Sequence, residues 1–197
     1  MSVVIVDTGC ANLASVGFAF ERLGEITMIT RDQDIIAGAD RVVLPGVGAA
    51  GYAMQNLHSR NLINTLQSLT QPVLGICLGM QILFARSSEG GTQGLGVIDG
   101  EIEKLDAADL PLPHMGWNQL DILVDDPLLA GVDSGAYMYF VHSYAAPILS
   151  TTLARTEYGS KFSAVVRRDN FYGCQFHPER SGQAGAKILS NFLKVKI

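Results

Sequence analysis

From Ser2 to Arg86 the sequence alternates short β-branched runs with amphipathic stretches, and that rhythm narrows the folds open to it. SVVIV (2–6), ITMIT (26–30), RVVLP (41–45) and PVLGIC (72–77) read as strands, the third closed by Pro45 and Gly46. Residues 12–23 put Leu13, Val16, Phe20 and Leu23 on one helical stripe behind Asn12 as cap. Residues 49–69 carry Met54, Leu57, Ile63, Leu66 and Leu69 on a buried side, with a break expected near Ser59–Asn61. LGMQILFAR (78–86) reads as the helix after the fourth strand. Strands separated by helices need crossover connections, which predicts a mainly parallel α/β sheet with right-handed crossovers. Such sheets carry their sites beyond the carboxyl ends of the strands.

The second half is richer in strands: 96–105, 120–124, 137–144, 151–157, 162–168 and 171–177, with a turn at Asp169–Asn170. Ser181 is the expected cap of a last helix that presents Ala184, Ile188, Leu189, Phe192 and Leu193. With 197 residues, 48% of them hydrophobic, and no linker or repeat, a single domain over 1–197 is expected. The net charge of −5 and the lack of a basic cluster give no footprint for nucleic acid or anionic membrane. The N-terminus has no basic region before a long apolar run, and no apolar stretch approaches the roughly 18 residues of a membrane helix. Three cysteines (Cys10, Cys77 and Cys174) are an odd set without framework spacing, which fits a reducing cytoplasm. The histidines at 58, 114, 142 and 177 are scattered, and no metal-ligand spacing occurs, so neither metal nor cofactor is expected.

Two short motifs carry chemistry. GICLG (75–79) ends a strand and opens a helix, the setting of a nucleophile elbow, with glycines that let the backbone turn sharply around Cys77. The helix amides beyond it favour a thiolate, and the Leu78 N–H is the natural first oxyanion donor. An inert core cysteine explains GICLG alone equally well. QFHPE (175–179) shifts the balance: His177 can take the thiol proton, and Glu179, two residues on across Pro178, can hold the far imidazole nitrogen.

GICLGMQ together with QFHPE resembles the class I glutamine amidotransferases. That resemblance implies a flavodoxin-like α/β domain, a Cys77–His177–Glu179 triad and a thioester made from the glutamine side-chain amide. It also implies that Gln81 and Glu89 hold glutamine, Glu89 through Ser87-Ser88-Glu89-Gly90, with Ser143 as a further substrate contact. Without it, Gln81 reads as an exposed helix residue and Glu89 as a solvated loop charge.

Within that family, DTGCANLASV (7–16), LPGVG (44–48), PHMGWN (113–118) and YFVHSY (139–144) are similar to the glutaminase subunits of imidazole glycerol phosphate synthases. This implies a heterodimer with a (β/α)₈-barrel cyclase that takes ammonia through the interface, in histidine biosynthesis. It also implies interface roles for Trp117, Asn118, Tyr144 and Arg180, with Met115 as filler beneath them and His142 structural. LPGVG is similar to an oxyanion strand whose Gly46–Val47–Gly48 peptides supply a donor after a reorientation coupled to the cyclase; a plain strand-to-helix turn is the simpler reading. Ala11 and Ala49-Ala50 depart from the usual pattern. The competing readings are the glutaminase of another synthase, a free γ-glutamyl hydrolase, and a non-catalytic docking module.

Overall fold

A computed structural model describes residues 1–9 and 11–196. Cys10, inside the 7–16 motif, lies outside the described residues. The strands β1 (Val3–Val6), β2 (Thr27–Thr30), β3 (Arg41–Gly46) and β4 (Val73–Cys77) alternate with α1 (Leu13–Glu21), α2 (Gln33–Ala37), α3 (Ala50–Ser59) and α4 (Leu62–Gln67). After β4 come the single turn α5 (Leu78–Gln81) and, near the C-terminus, α6 (Gly182–Phe192).

The central sheet has eight strands in the order β2, β1, β3, β4, Phe171–Cys174, Ser160–Arg168, Thr152–Tyr158, Asp121–Ile122. The first five run parallel and the last three antiparallel. In β1 all four residues are buried. Val3 and Ile5 enter one core cluster while Val4 and Val6 enter the other, as period-2 alternation between two covered faces requires. Val16 and Phe20 of α1 and Ile188, Leu189 and Phe192 of α6 fill the first cluster. Ile36, Met54, Leu57, Leu62 and Leu66 from α2, α3 and α4 fill the second. The helix break sits at Asn61, whose backbone is left-handed with φ 56°. Asn12 caps α1, accepting from the Ser15 amide at 3.2 Å.

Four expectations need correction. Helix 78–86 is one turn only: Phe84–Ser87 is a strand, paired parallel to Ile98–Lys104 and antiparallel to Thr92–Gln93. Met80, Ile82, Leu83 and Phe84 are all buried, so no polar face marks a helical period, and strand partners from residues 92–104 decide the backbone. Strand β3 does not end before Pro45 and Gly46, which pair with Ile76 and Cys77. His114–Gln119, unread as a strand, pairs with Tyr137–His142 in a separate two-stranded ribbon. Ser181 makes no side-chain cap to α6: its hydroxyl donates to the His177 carbonyl at 2.6 Å and accepts from the Tyr139 amide at 3.0 Å.

Candidate active site

The sharp turn falls on Cys77 itself, a non-glycine residue at φ 54°, ψ −111°. Such a conformation persists only where its surroundings enforce it. The flanking glycines enforce it by close approach rather than by unusual dihedrals. A Cβ on Gly79 would lie 1.7 Å from the Leu44 carbonyl oxygen, and one on Gly75 would lie 2.7 Å from the Gly79 carbonyl oxygen and the Met80 amide nitrogen. The glycines therefore let α5 fold back onto β3 and β4, which lifts the sulfur at the carboxyl edge of the sheet. Leu78 opens α5, so its N–H has no intrahelical acceptor.

Strand Phe171–Cys174 lies beside β4 and delivers His177 to the same edge. The His177 amide donates to the Tyr139 carbonyl at 2.9 Å, and the Ser181 hydroxyl holds the carbonyl of the same residue. His177 Nδ1 and Glu179 Oε1 are 2.8 Å apart, with side chains 8% and 3% exposed. Burial acts to lower the His177 pKa, but the Cys77 sulfur and the Glu179 carboxylate outweigh it and raise it to about 10. His177 Nε2 is buried with no hydrogen-bond partner among the described residues, and the ring faces the same cavity as Cys77. The other described cysteine, Cys174, is fully buried, and that burial, with the Glu179 charge, pushes its thiol well up. Burial thus marks Cys174 as an inert core thiol, whereas Cys77 sits at the turn near His177.

A cavity of about 260 Å³ opens over Cys77 and is lined by Val47, Gly48, Leu78, Gln81, Glu89, Ser143 and Tyr144, with His142 and His177. The sequence motifs at 44–48, 75–81, 87–90 and 139–144 all meet here. Gln81 is not an exposed helix residue: it is 6% exposed and donates to the Tyr144 carbonyl at 2.8 Å and to Gln175 Oε1 at 3.0 Å. Glu89 is half-buried and accepts from the Ala50 amide at 2.7 Å, so it also caps the helix that follows the Val47–Gly48 turn. Gly48 has φ +90° and no atom within 4 Å of a Cβ built there.

Sequence reasoning passed over Gln175, which is fully buried with its Nε2 3.8 Å from the Cys77 sulfur. The signal was present as an amide in the otherwise apolar run before His177, since a buried amide needs partners. It also passed over His114, whose Nδ1 lies 3.0 Å from His142 Nε2. Burial lowers the His114 pKa to about 4 and the His142 pKa to about 3, so both rings are neutral near pH 7.

The expected docking residues are split by strand alternation. Trp117 is 56% exposed and Met115 63%, both on the outer face of the ribbon, so Met115 is not filler beneath Trp117 but its neighbour on the surface. The Trp117 ring meets Tyr139 edge-on at 5.9 Å, and the Arg180 guanidinium lies 5.0 Å over the same Tyr139 ring. Asn118 points to the opposite face, where its amide donates to the Glu157 carbonyl at 2.9 Å and approaches His114 Nε2 at 3.3 Å. Tyr144 packs on the second core cluster and lines the cavity with Cys77, away from that outer face.

This fold and site define the class I glutamine amidotransferases, and residues 4–195 match the family model described as Glutamine amidotransferase class-I. The structure resembles a putative GMP synthase component from Thermoplasma acidophilum, with a TM-score of 0.74 at 20% identity over 98% of this chain and 92% of the other. It also resembles PurLQS from Thermotoga maritima, with a TM-score of 0.73 at 18% identity over 98% and 97%. These two likenesses show a shared fold. Proteins named imidazole glycerol phosphate synthase subunit HisH are much more similar in sequence. That of Yersinia pseudotuberculosis serotype I is 53% identical over 99% of this chain and 100% of its own. That of Shewanella oneidensis is 54% identical over 98% and 96%. The chain belongs to the class I glutamine amidotransferases and, within them, to the HisH subunits of imidazole glycerol phosphate synthase.

Proposed function

We propose that this chain hydrolyses glutamine and hands the ammonia to the synthase subunit of imidazole glycerol phosphate synthase, in histidine biosynthesis. The observation that carries the reading is that Cys77 and His177, the latter held from behind by Glu179, share a cavity of about 260 Å³ with Gln81 and Glu89. The Cys77 thiolate attacks the δ-carbonyl carbon of glutamine, and the carbonyl electron pair moves onto oxygen. The Leu78 N–H receives that oxyanion, with a second donor from the Val47–Gly48 turn. The His177 imidazolium protonates the leaving amide nitrogen, which departs as ammonia and leaves a thioester on Cys77. Neutral His177 then takes a proton from water, hydroxide attacks the thioester carbonyl, and glutamate leaves as the sulfur is protonated again through His177. Glu179 keeps Nδ1 protonated throughout.

Gln81 uses both amide hydrogens on Tyr144 and Gln175, so its Oε1 remains as the acceptor it offers to glutamine. Glu89 suits the substrate ammonium, and Ser143 lines the same wall. The partner is a (β/α)₈-barrel cyclase docked as a heterodimer on Trp117, Met115, Tyr139 and Arg180, an aromatic face with one cation of the kind that anchors protein interfaces. Asn118 lies on the other side of the ribbon, and Tyr144 lines the cavity over Cys77. The protein works in the cytoplasm as one domain without cofactor, and the Gly46–Val47–Gly48 peptides reorient when the cyclase binds its ligand. Glutamine turnover is measured for the chain alone, the complex, and the complex with cyclase ligand. Rates that rise across the three support the coupled reading, and equal rates refute the coupling.

A further inference from the structure

The hydrogen bonds around Gln81 form a chain whose direction is set at one point. The Tyr144 carbonyl can only accept, and it accepts twice: from Gln81 Nε2 at 2.8 Å and from His142 Nδ1 at 2.9 Å. On one side this makes Gln81 Nε2 the donor to Gln175 Oε1 at 3.0 Å. Gln175 then has no choice of amide orientation: with Oε1 occupied, its Nε2 faces the Cys77 sulfur at 3.8 Å. On the other side, His142 carries its proton on Nδ1, so its Nε2 accepts from His114 Nδ1 at 3.0 Å, and His114 Nε2 accepts from Asn118 Nδ2 at 3.3 Å. Six polar groups thus link the ribbon to the nucleophile, their donor and acceptor ends fixed outward in both directions from the Tyr144 carbonyl.

We infer that Gln175 is a thiolate-stabilising residue, its Nε2–H aimed at the Cys77 sulfur by the Tyr144 carbonyl and Gln81, with His142 and His114 as positioning residues behind that carbonyl. A 3.8 Å N–H···S contact is weak to a neutral thiol and strengthens when the sulfur carries charge. It therefore offers the thiolate a donor, against the Val141 carbonyl that the sulfur also meets at 3.8 Å and that suits the thiol. The other titratable groups around the sulfur act differently. Glu179 lies behind His177 and Glu89 lines the same cavity; His142, from the ribbon, and Cys174, on the adjoining strand, are neutral. Gln175 is thus the uncharged donor among them. Its carbonyl end, taken up by Gln81, keeps the amide from flipping to present oxygen to the thiolate, which would repel it.

The role rests on Cys77 being the nucleophile proposed above, yet its test needs neither glutamine nor a partner. Iodoacetamide alkylation of the full chain is followed from pH 5 to pH 10, with the Cys77 peptide quantified by mass spectrometry so that Cys10 and Cys174 do not contribute. Gln175→Met, close in length and without the donor, is expected to move the midpoint of alkylation up by about one pH unit. At pH below the midpoint that is roughly tenfold slower, with the high-pH plateau unchanged. Gln81→Met, which frees the Gln175 amide to rotate, shifts the midpoint in the same direction by less. An unmoved midpoint in Gln175→Met with a parent-like circular dichroism spectrum overturns the inference. Should that variant not fold, an unmoved midpoint in Gln81→Met overturns it instead. Either result leaves the glutaminase reading standing, because that reading fails only if Cys77→Ala still turns over glutamine.

Discussion

Replacing Gly79 by alanine tests whether close packing makes the elbow. The added Cβ would sit 1.7 Å from the Leu44 carbonyl oxygen and 2.8 Å from the carbonyl carbon of the same residue. Relief to ordinary contact requires about 1.7 Å or more of separation between α5 and β3. Neither partner gives easily. Leu44 lies opposite Gly75 in the parallel β3–β4 ladder and is fully buried, while α5 carries Met80 and Leu78, both buried. Overpacking costs about 1–3 kcal/mol where side chains can adjust. Here both sides are backbone, so about 3 kcal/mol or more is expected. For a chain of this length that lowers Tm by roughly 6–12 °C. The same displacement moves the Leu78 N–H and the Cys77 sulfur, and a shift of roughly 1 Å at a reacting centre costs about a hundredfold in rate. Thermal unfolding followed by circular dichroism reads the first effect, and glutamine turnover in the complex reads the second. Gly48→Ala is the contrast: at φ +90° with no atom within 4 Å it meets strain without a clash, about 1–2 kcal/mol. A Gly79→Ala protein that melts within a degree or two of the parent and keeps its rate would refute the packing account of the elbow.

Cys77→Ala is expected to abolish glutamine-supported synthesis in the complex while sparing synthesis fed by ammonium salts; surviving glutamine use would remove Cys77 from the chemistry. His177 has a pKa raised from 6.5 to about 10, so its stabilising contribution is complete below pH 6.5 and is lost as pH rises through 10. The Tm penalty of Glu179→Gln should therefore be largest near pH 6 and shrink towards pH 10, and a pH-independent penalty would contradict this. His114 and His142 have pKa values lowered from 6.5 to about 4 and 3, so the unfolded chain takes up protons that the folded one refuses, and stability falls as pH drops from 6.5 towards 3. His142→Phe should flatten that acid limb in urea titrations. Trp117→Ala should weaken binding to the proposed barrel cyclase by roughly thirtyfold, as an interface anchor does, and leave Cys77 alkylation unchanged; unaltered affinity by calorimetry would move the docking face elsewhere.

Much of the site was legible because its parts are local. The elbow, the His-Pro-Glu step and the strand ends before them are short-range patterns, and the structure brings Cys77, His177, Gln81 and Glu89 to one cavity. Where the reading failed, the deciding partners were distant in sequence. Ser181 sits where a helix cap belongs, yet its hydroxyl goes to His177 and Tyr139, because the ribbon crosses there. Phe84–Ser87 looks helical until Ile98–Lys104 arrives beside it. Asn118 adjoins Trp117 in sequence but faces the other way, since neighbours in a strand point to opposite faces.

The sequence by itself determined the family and the α/β class, and it named the residues proposed to attack, transfer a proton and hold glutamine, because glycine, β-branched and nucleophilic residues act through their own covalent structure. Only the tertiary structure decided which way each polar group points. Gln175, His114 and His142 are unremarkable letters until a single carbonyl, at Tyr144, orders the protons on its two sides, one arm through the histidines and the other ending at sulfur. Hydrogen-bond direction belongs to a network of buried groups, and no local stretch of chain contains that network.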